Sequence, residues 1–163
     1  MPAVSIVMGS RSDLPKIQPA LDFLTELKVT HEYMVYSAHR TPDETTAWAK
    51  KARTNGTKVI IAAAGMSCAL PGALAAISTL PVIGLPIKGS SEVDNQAAVL
   101  SCVCMPSGVP VLTVGLNAAK NAAIAAVRIL SIADPTWVSE LKNYQERMRE
   151  KVLADNASFD VKK

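Results

Sequence analysis

Lys58-Val59-Ile60-Ile61-Ala62-Ala63-Ala64 is the stretch that decides the fold of this chain. After its lysine the stretch is apolar without interruption, and Gly65 follows it directly. A strand with one solvated face alternates apolar and polar side chains, whereas an unbroken apolar run is typical of a strand buried on both faces. Such strands occur in parallel sheets that helices cover on both sides. The stretch therefore predicts the middle of a parallel α/β sheet.

Strands and helices alternate in both directions from this stretch. Short apolar or alternating runs predict further strands at residues 4–8, 31–36, 81–85 and 109–114. Helical spacing of apolar residues and helix stop signals predict helices over about 14–27, 42–55, 73–78, 92–104 and 118–132. Five strand–helix units without tandem hairpins predict a flavodoxin-like fold: a doubly wound parallel five-stranded sheet in three layers.

The C-terminal segment differs in character from the rest. After Asp134-Pro135, apolar residues recur every three or four positions and charged residues cover the other side, which predicts an amphipathic helix over 135–155 and a polar tail over 156–163. The Ala-rich segments at 73–76 and 118–126 are more apolar than one subunit can easily bury. We therefore expect residues 1–163 to form a single domain whose last helix packs on a neighbouring subunit of an oligomer.

Composition narrows the function classes. The chain has 163 residues, a formal net charge of +3 and 4% aromatic residues. Without a basic stripe or aromatic stacking platforms, nucleic acid is not an expected partner. With no signal-like segment and no apolar run near the roughly 18 residues that a membrane span needs, we expect a cytoplasmic protein without membrane contact. The odd count of three cysteines favours reduced thiols, and Cys102-x-Cys104 lacks the spacing of a zinc site.

The leading candidate for chemistry is Ser37-Ala38-His39-Arg40-Thr41-Pro42, where a predicted strand meets a helix. A helix start alone explains Thr41 as the N-cap, Pro42 as the first helical residue and Glu44 as the partner in a capping box. Capping needs neither His39 nor Arg40. A histidine near a helix start can also be structural, so the interpretation of these two side chains depends on the rest of the chain.

The predicted topology brings several such loops together. Ligands of doubly wound sheets bind at the carboxyl ends of the strands, and the loops at Gly9, Ser37, Gly65 and Lys88 all leave the sheet at that edge. The turn Gly9-Ser10-Arg11-Ser12-Asp13 also has the small and hydroxyl residues that let amides gather around a phosphate. The sequence therefore predicts a pocket for a small, phosphorylated anion.

Four motifs, in their order and spacing, resemble the PurE family of purine biosynthesis: Gly9-Ser10-x-Ser12-Asp13, Ser37-Ala38-His39-Arg40-Thr41-Pro42, Ala64-Gly65 with Leu70-Pro71-Gly72, and Met105-Pro106-x-Gly108. The resemblance covers nearly the whole chain. It implies a flavodoxin-like subunit and a homo-octamer in which the C-terminal helix reaches a neighbour. It also implies formation of 4-carboxy-5-aminoimidazole ribonucleotide (CAIR), with neither a metal nor an organic cofactor.

The resemblance also implies roles for individual residues. His39 is the expected proton-transfer residue. The expected substrate-binding residues are Ser10 and Asp13 at the phosphate and ribose region, Ser37 and Arg40 at the phosphate end, and Gly65, Ser67 and Leu70 in the third loop. In the mutase reaction, the carboxyl group of N5-carboxyaminoimidazole ribonucleotide (N5-CAIR) leaves its nitrogen as CO2 and is captured by C4. A closed, apolar pocket keeps the CO2 from escaping.

The family has two branches, and this sequence carries features of both. Arg40 fits the mutases, whereas Ala69 stands where they have a second His, and Asn95-Gln96-Ala97 replaces their Gly-x-Asp. The third loop and Met105-Pro106-Ser107-Gly108 lean toward the branch that carboxylates aminoimidazole ribonucleotide (AIR) directly with CO2. A mutase is the first expectation, and this carboxylase is the alternative. Two further alternatives are a non-catalytic flavodoxin-like nucleotide or flavin binder, which has no need of His39, and an idle oligomeric scaffold.

Overall fold

The computed structural model describes residues 1–159, which form a five-stranded sheet. Its strands are β1 (Val4–Met8), β2 (His31–Val35), β3 (Val59–Ala64), β4 (Val82–Pro86) and β5 (Leu112–Thr113). Their order is β2-β1-β3-β4-β5, and each neighbouring pair is parallel. The predicted flavodoxin-like doubly wound sheet is confirmed.

Within residues 1–159, one helix follows each strand, and a sixth helix comes after the fifth. They are α1 (Leu14–Glu26), α2 (Pro42–Ala52), α3 (Ala69–Ile77), α4 (Glu92–Val103), α5 (Ala119–Leu130) and α6 (Thr136–Ser158), and a 3₁₀ turn over Arg11–Asp13 precedes α1. The chain divides into two units, Met1–Ala126, which contains the sheet, and a second unit that begins at Val127. The single domain over 1–163 stays a prediction.

The middle of the sheet is the core of the first unit. Every residue of β1, β3 and β4 is buried, as the apolar run in β3 predicts. The edge strand β2 is half-buried, and its Tyr33 and Val35 are about half exposed, in line with its alternating sequence. Backbone hydrogen bonds continue past the strand ends, from Gly9 N to Ala63 O (3.0 Å) and from Ile87 N to Ala64 O (2.8 Å). The loops at the carboxyl edge therefore start from a rigid base.

The third helix begins earlier than predicted. It spans Ala69–Ile77 rather than 73–78, and Leu70 and Pro71 are buried in its first turn. The N–H groups of a first turn have no partner within the helix, so a proline costs no hydrogen bond there. Leu70-Pro71-Gly72 therefore belongs to the helix instead of preceding it.

Two other element boundaries also differ from the prediction. β5 is confined to Leu112–Thr113 instead of 109–114, because Val109 N closes a turn onto Pro106 O (3.1 Å) and Pro110 has no N–H to give a ladder. α6 continues to Ser158 and so includes residues 156–158, which were expected in the tail. No glycine or proline interrupts that stretch. The rest of the predicted tail, residues 160–163, lies outside the described residues.

Candidate active site

Four loops at the carboxyl edge of the sheet enclose a cavity of about 530 Å³. All eight residues that the sequence singled out line it: Ser10, Asp13, Ser37, His39, Arg40, Gly65, Ser67 and Leu70. They come from the ends of β1, β2 and β3, which are adjacent in the sheet. Parallel strands thus bring together side chains that are up to 60 positions apart in sequence.

The stretch after β2 forms a tight turn around Ser37. The Thr41 hydroxyl accepts a hydrogen bond from Ser37 N (2.9 Å) and donates to Ser37 O (3.2 Å), and Thr41 N also donates to Ser37 O (2.9 Å). Thr41 and Pro42 occupy the predicted N-cap and first helical positions. The predicted capping box with Glu44 is wrong, because the Thr41 hydroxyl is engaged by Ser37. Thr41 therefore shapes the loop that presents His39 and Arg40.

Arg40 links the first two loops of the cavity. Its Nη2 donates to Gly9 O (2.9 Å) and its Nε to Ser37 Oγ (3.4 Å), while its backbone N donates to the same hydroxyl (3.2 Å). The guanidinium is solvent-exposed at the cavity rim. A guanidinium has five N–H donors, so these contacts leave others for an anion. His39, its neighbour in sequence, is also exposed and lines the same cavity.

The loop after β1 contributes hydroxyls and one buried carboxyl group. Ser10 caps the 3₁₀ turn, and its Oγ accepts hydrogen bonds from Ser12 N (3.3 Å) and Ser12 Oγ (2.9 Å). Asp13 is only 8% exposed. Burial raises the pKa of its carboxyl group, and the charge of Lys16 and a backbone hydrogen bond from Ser10 partly offset this. A carboxylate that lacks water and faces a cavity is suited to accept hydrogen bonds from ligand hydroxyls.

The third loop has the most constrained backbone of the site. Met66 and Cys68 have left-handed conformations, with φ of 53° and 38°, on either side of Ser67. Gly65 lies close to the loop that follows β4, and a Cβ there would be 3.2 Å from Ile87 O. Left-handed non-glycine residues cost free energy and are common at functional sites. Leu70, 2% exposed, adds an apolar wall.

A fourth loop adds positive charge that the motifs did not assign. Lys16 Nζ donates to Lys88 O (2.8 Å), and both lysines line the cavity. The backbone here is held from behind, since Lys88 N donates to Asn117 Oδ1 (2.9 Å) and Gly89 N donates to Asn95 Oδ1 (3.0 Å). Sequence reasoning placed Lys88 at this edge and missed Lys16. The available signal was its position one helical turn after Asp13.

Comparison with known proteins shows to which family the chain belongs. Residues 3–151 match the family model described as AIR carboxylase. The chain belongs to the AIR carboxylase family. The resemblance to PurE proteins is thereby confirmed, over nearly the whole length on which the motifs are found.

Similar proteins of the AIR carboxylase family are named either as mutases or as carboxylases. The N5-carboxyaminoimidazole ribonucleotide mutase of Thermotoga maritima is 48% identical over 153 residues, covering 94% of this chain and 89% of the relative. The mutase of Pyrococcus abyssi is 49% identical over 149 residues (91% and 85%). The phosphoribosylaminoimidazole carboxylase of Schizosaccharomyces pombe is 46% identical over 152 residues, which are 93% of this chain and 27% of that longer protein.

Solved structures of the family agree with the fold. The crystal structure of Treponema denticola PurE matches with a TM-score of 0.88 at 28% identity, covering 98% of this chain and 99% of that one. In this chain, Ala69 lines the cavity at the start of α3, where the resemblance to the mutases implies a second His.

Among residues 1–159, no group of three or more His, Cys, Asp or Glu side chains is arranged to hold a metal ion. No described helix is both long and apolar enough to cross a membrane.

Proposed function

We propose that this chain is an N5-CAIR mutase of de novo purine biosynthesis, which forms CAIR by moving the carboxyl group of N5-CAIR to C4. The observation that carries this proposal is the convergence of His39, Arg40 and Asp13 on one cavity. The mutase names of relatives that align over most of their own length support it. A flavodoxin-like binder without chemistry has no use for an imidazole in this position.

The polar half of the cavity suits a ribonucleotide. We assign the phosphate to Arg40, Ser37 and Ser10, where a guanidinium, two hydroxyls and the start of a 3₁₀ turn meet. Charge-assisted hydrogen bonds of this kind are the strongest that a protein offers a phosphate. The buried Asp13 carboxyl group is assigned to the ribose region. Lys16 and Lys88 add positive charge at the same rim, which suits a substrate that also has a carboxylate.

The apolar residues of the lining suit the reaction itself. Ala64, Ala69, Leu70 and Ile87 line the side of the cavity formed by the third and fourth loops. In the proposed reaction the N–C bond of the carbamate breaks and releases CO2, which these apolar walls hold beside the ring. C4 then forms the new C–C bond, and His39 takes the proton that leaves C4 and returns one to the nitrogen. An imidazole exchanges protons near neutral pH and typically contributes about 10²–10⁴-fold to such a step.

The proposed assembly is a homo-octamer in the cytoplasm. Helix α4 exposes an apolar stripe, because Val93, Leu100 and Val103 are 75%, 56% and 59% exposed. Helix α6 buries none of its residues Thr136–Ser158, although several of them are apolar. Apolar surfaces of this kind mark association sites. A reducing compartment suits a chain whose Cys68 and Cys102 are buried as free thiols.

The test is a direct comparison of carboxyl donors. The purified protein is incubated with N5-CAIR alone and, separately, with AIR plus bicarbonate, and CAIR is quantified by chromatography. The proposal predicts CAIR from N5-CAIR without added bicarbonate. Turnover only with AIR plus bicarbonate would assign the chain to the carboxylase branch instead. Absence of CAIR in both reactions, with folded protein, would refute both activities.

A further inference from the structure

Two thiols lie against each other behind the cavity. Cys68 Sγ and Cys102 Sγ are 3.2 Å apart, and the two residues are 2% and 1% exposed. Both are free cysteines, separated by 34 positions in sequence. Cys68 ends the third loop, whereas Cys102 belongs to the last turn of α4. The reaction proposed above uses neither thiol.

We propose that Cys68 and Cys102 form a reversible disulfide that switches off the adjacent active site when the protein meets a peroxide. The proposal rests on three features of the structure: the contact between the sulfurs, the position of Cys68 in the cavity lining, and the loop that joins Cys68 to the other site residues.

One thiol of the pair belongs to a residue that lines the cavity. Cys68 lines the cavity but is only 2% exposed, so the proposed switch requires hydrogen peroxide to approach its sulfur from the cavity side. Cys102 ionises first and takes the proton of Cys68 across their contact; the Cys68 sulfur attacks one peroxide oxygen, the O–O bond breaks, and the departing hydroxide takes a proton from solvent and leaves as water. The product is a sulfenic acid at Cys68. Cys102 is positioned to resolve it because its sulfur is already in contact.

The second step closes the disulfide. The Cys102 sulfur attacks the Cys68 sulfur, its proton goes to the departing hydroxyl, and a second water leaves. Overall, two thiols and one peroxide become one disulfide and two waters. The hydrogen bond between the thiols raises the pKa of Cys68 and lowers that of Cys102, so Cys102 is the thiol that more readily becomes the attacking thiolate.

The disulfide must shorten the distance between the sulfurs from 3.2 Å to about 2.05 Å. Cys102 is poorly placed to move, because it lies within α4 and its carbonyl accepts a hydrogen bond from Thr113 Oγ1 (3.0 Å). Gly84 behind it has little spare room, since a Cβ there would lie 3.3 Å from Cys102 Sγ. The movement therefore falls on Cys68 and the loop before it.

That loop is part of the active site. Cys68 Sγ donates to Ala64 O (3.0 Å), at the end of β3, and the backbone of Cys68 is already left-handed. Gly65 and Ser67 of the same loop line the cavity. Drawing Cys68 toward α4 breaks its bond to Ala64 and shifts these residues. A displacement of about 1 Å at a catalytic site reduces turnover by roughly 10- to 100-fold.

The experiment uses the full chain with Cys104→Ser, which removes the exposed third thiol. The protein is titrated with hydrogen peroxide, its free thiols are alkylated after denaturation, and peptides are mapped by mass spectrometry. We expect a Cys68–Cys102 disulfide, a loss of both thiols, a fall in kcat of about 10- to 100-fold and recovery with dithiothreitol. Peptide mapping detects the disulfide whether or not the chain has the activity proposed above.

The matched controls remove the resolving thiol. Cys102→Ala and the near-isosteric Cys102→Ser, both in the Cys104→Ser background, should not show the reversible loss of turnover. If Cys68 and Cys102 both stay reduced at peroxide doses that oxidise Cys104 in the unsubstituted chain, the proposal is overturned. Unchanged turnover after the disulfide is mapped would overturn the switch, as would an equal, reversible loss in the Cys102 variants.

Discussion

His39 carries the chemical part of the proposed function, and its position explains why. Its loop is fixed by the bonds between Ser37 and Thr41, while the imidazole itself is exposed at the cavity. A histidine that only stabilised the fold would be expected in the core, where this one is not. The imidazole is therefore free to act on a bound ligand and contributes little to the packing of the subunit.

Replacing His39 separates these two roles. His39→Asn should keep the fold and the oligomer, leave affinity for AIR within a few-fold, and lower kcat by about 10²–10⁴-fold, because an amide cannot exchange a proton near neutral pH. Melting temperature, calorimetric affinity and turnover are measured on the same preparation. A lower melting temperature with parental turnover of the folded fraction would identify a structural residue instead.

Arg40 should act on binding more than on the chemical step. Arg40→Ala removes a guanidinium that already reaches Gly9 O and Ser37 Oγ at the proposed phosphate site. A charge-assisted hydrogen bond contributes about 1.5–3 kcal/mol, so the dissociation constant for AIR should rise by roughly 10- to 150-fold. Calorimetry measures it. Arg53→Ala is the matched control, because Arg53 is an exposed arginine after α2 that bonds Thr79 O (3.1 Å) and does not line the cavity. Equal affinity of the parent and Arg40→Ala would disprove the phosphate assignment.

The buried carboxyl group of Asp13 should make the stability of the fold depend on pH. Burial raises the pKa of its carboxyl group above the ordinary 3.8, so the folded state binds a proton more tightly than the unfolded state does. Its contribution to stability therefore falls as pH rises from about 3.8 through the raised value. Asp13→Asn should melt at a higher temperature than the parent at neutral pH, and the difference should vanish as pH falls below 3.8. Calorimetric melts across this range test it, and a lower melting temperature for the variant at neutral pH would contradict it.

The loop after β4 depends on a side chain from another loop. Asn117 has a left-handed φ of 55°, its N–H donates to Pro86 O (2.9 Å), and its Oδ1 accepts from Lys88 N (2.9 Å). One residue thus fixes both the end of β4 and the start of the loop that reaches the cavity. Asparagine and aspartate tolerate this backbone conformation better than alanine does.

A series of substitutions at Asn117 separates these contributions. Asn117→Asp keeps the acceptor and the tolerance of positive φ, so its stability should be close to that of the parent. Asn117→Gly should lose about 0.5–1.5 kcal/mol with the hydrogen bond, and Asn117→Ala should lose about 1–2 kcal/mol more from its backbone. KM for N5-CAIR should rise in the same order as the loop loosens. Urea denaturation gives the stabilities, and an alanine variant as stable as the aspartate variant would refute this role.

Some of these elements could be predicted from the sequence, and others could not. The buried run in β3 and its helical neighbours were sufficient to predict the five-stranded sheet, because a strand buried on both faces has few other places in a fold. The convergence of the eight site residues followed from the same topology. The start of α3 and the short β5 were not predictable in this way, since they depend on which backbone N–H groups find partners. Lys16 at Lys88, and Cys68 against Cys102, depend on packing between elements distant in sequence.

Two groups of apolar side chains are exposed in the described part of the chain. One is the stripe on α4 formed by Val93, Leu100 and Val103. The other is on α6, where Val138, Met148, Val152 and Leu153 are each more than a third exposed. Helices in proteins gain most of their stability from tertiary packing, and none of the 23 residues of α6 is buried. Both surfaces are explained if copies of the chain associate through them.

Removing α6 tests this assembly. Deletion of residues 135–163 leaves all five strands in place and should dissociate the proposed octamer into smaller species, because it removes the apolar surface that we assign to a neighbouring subunit. Deletion of 156–163 is the matched control, since it keeps most of α6 and its apolar positions and should leave the particle mass at that of eight chains. Light scattering measures the mass, and circular dichroism checks that the sheet remains folded. An unchanged particle mass after the longer deletion would place the subunit interface elsewhere, and the stripe on α4 would then be the surface to alter.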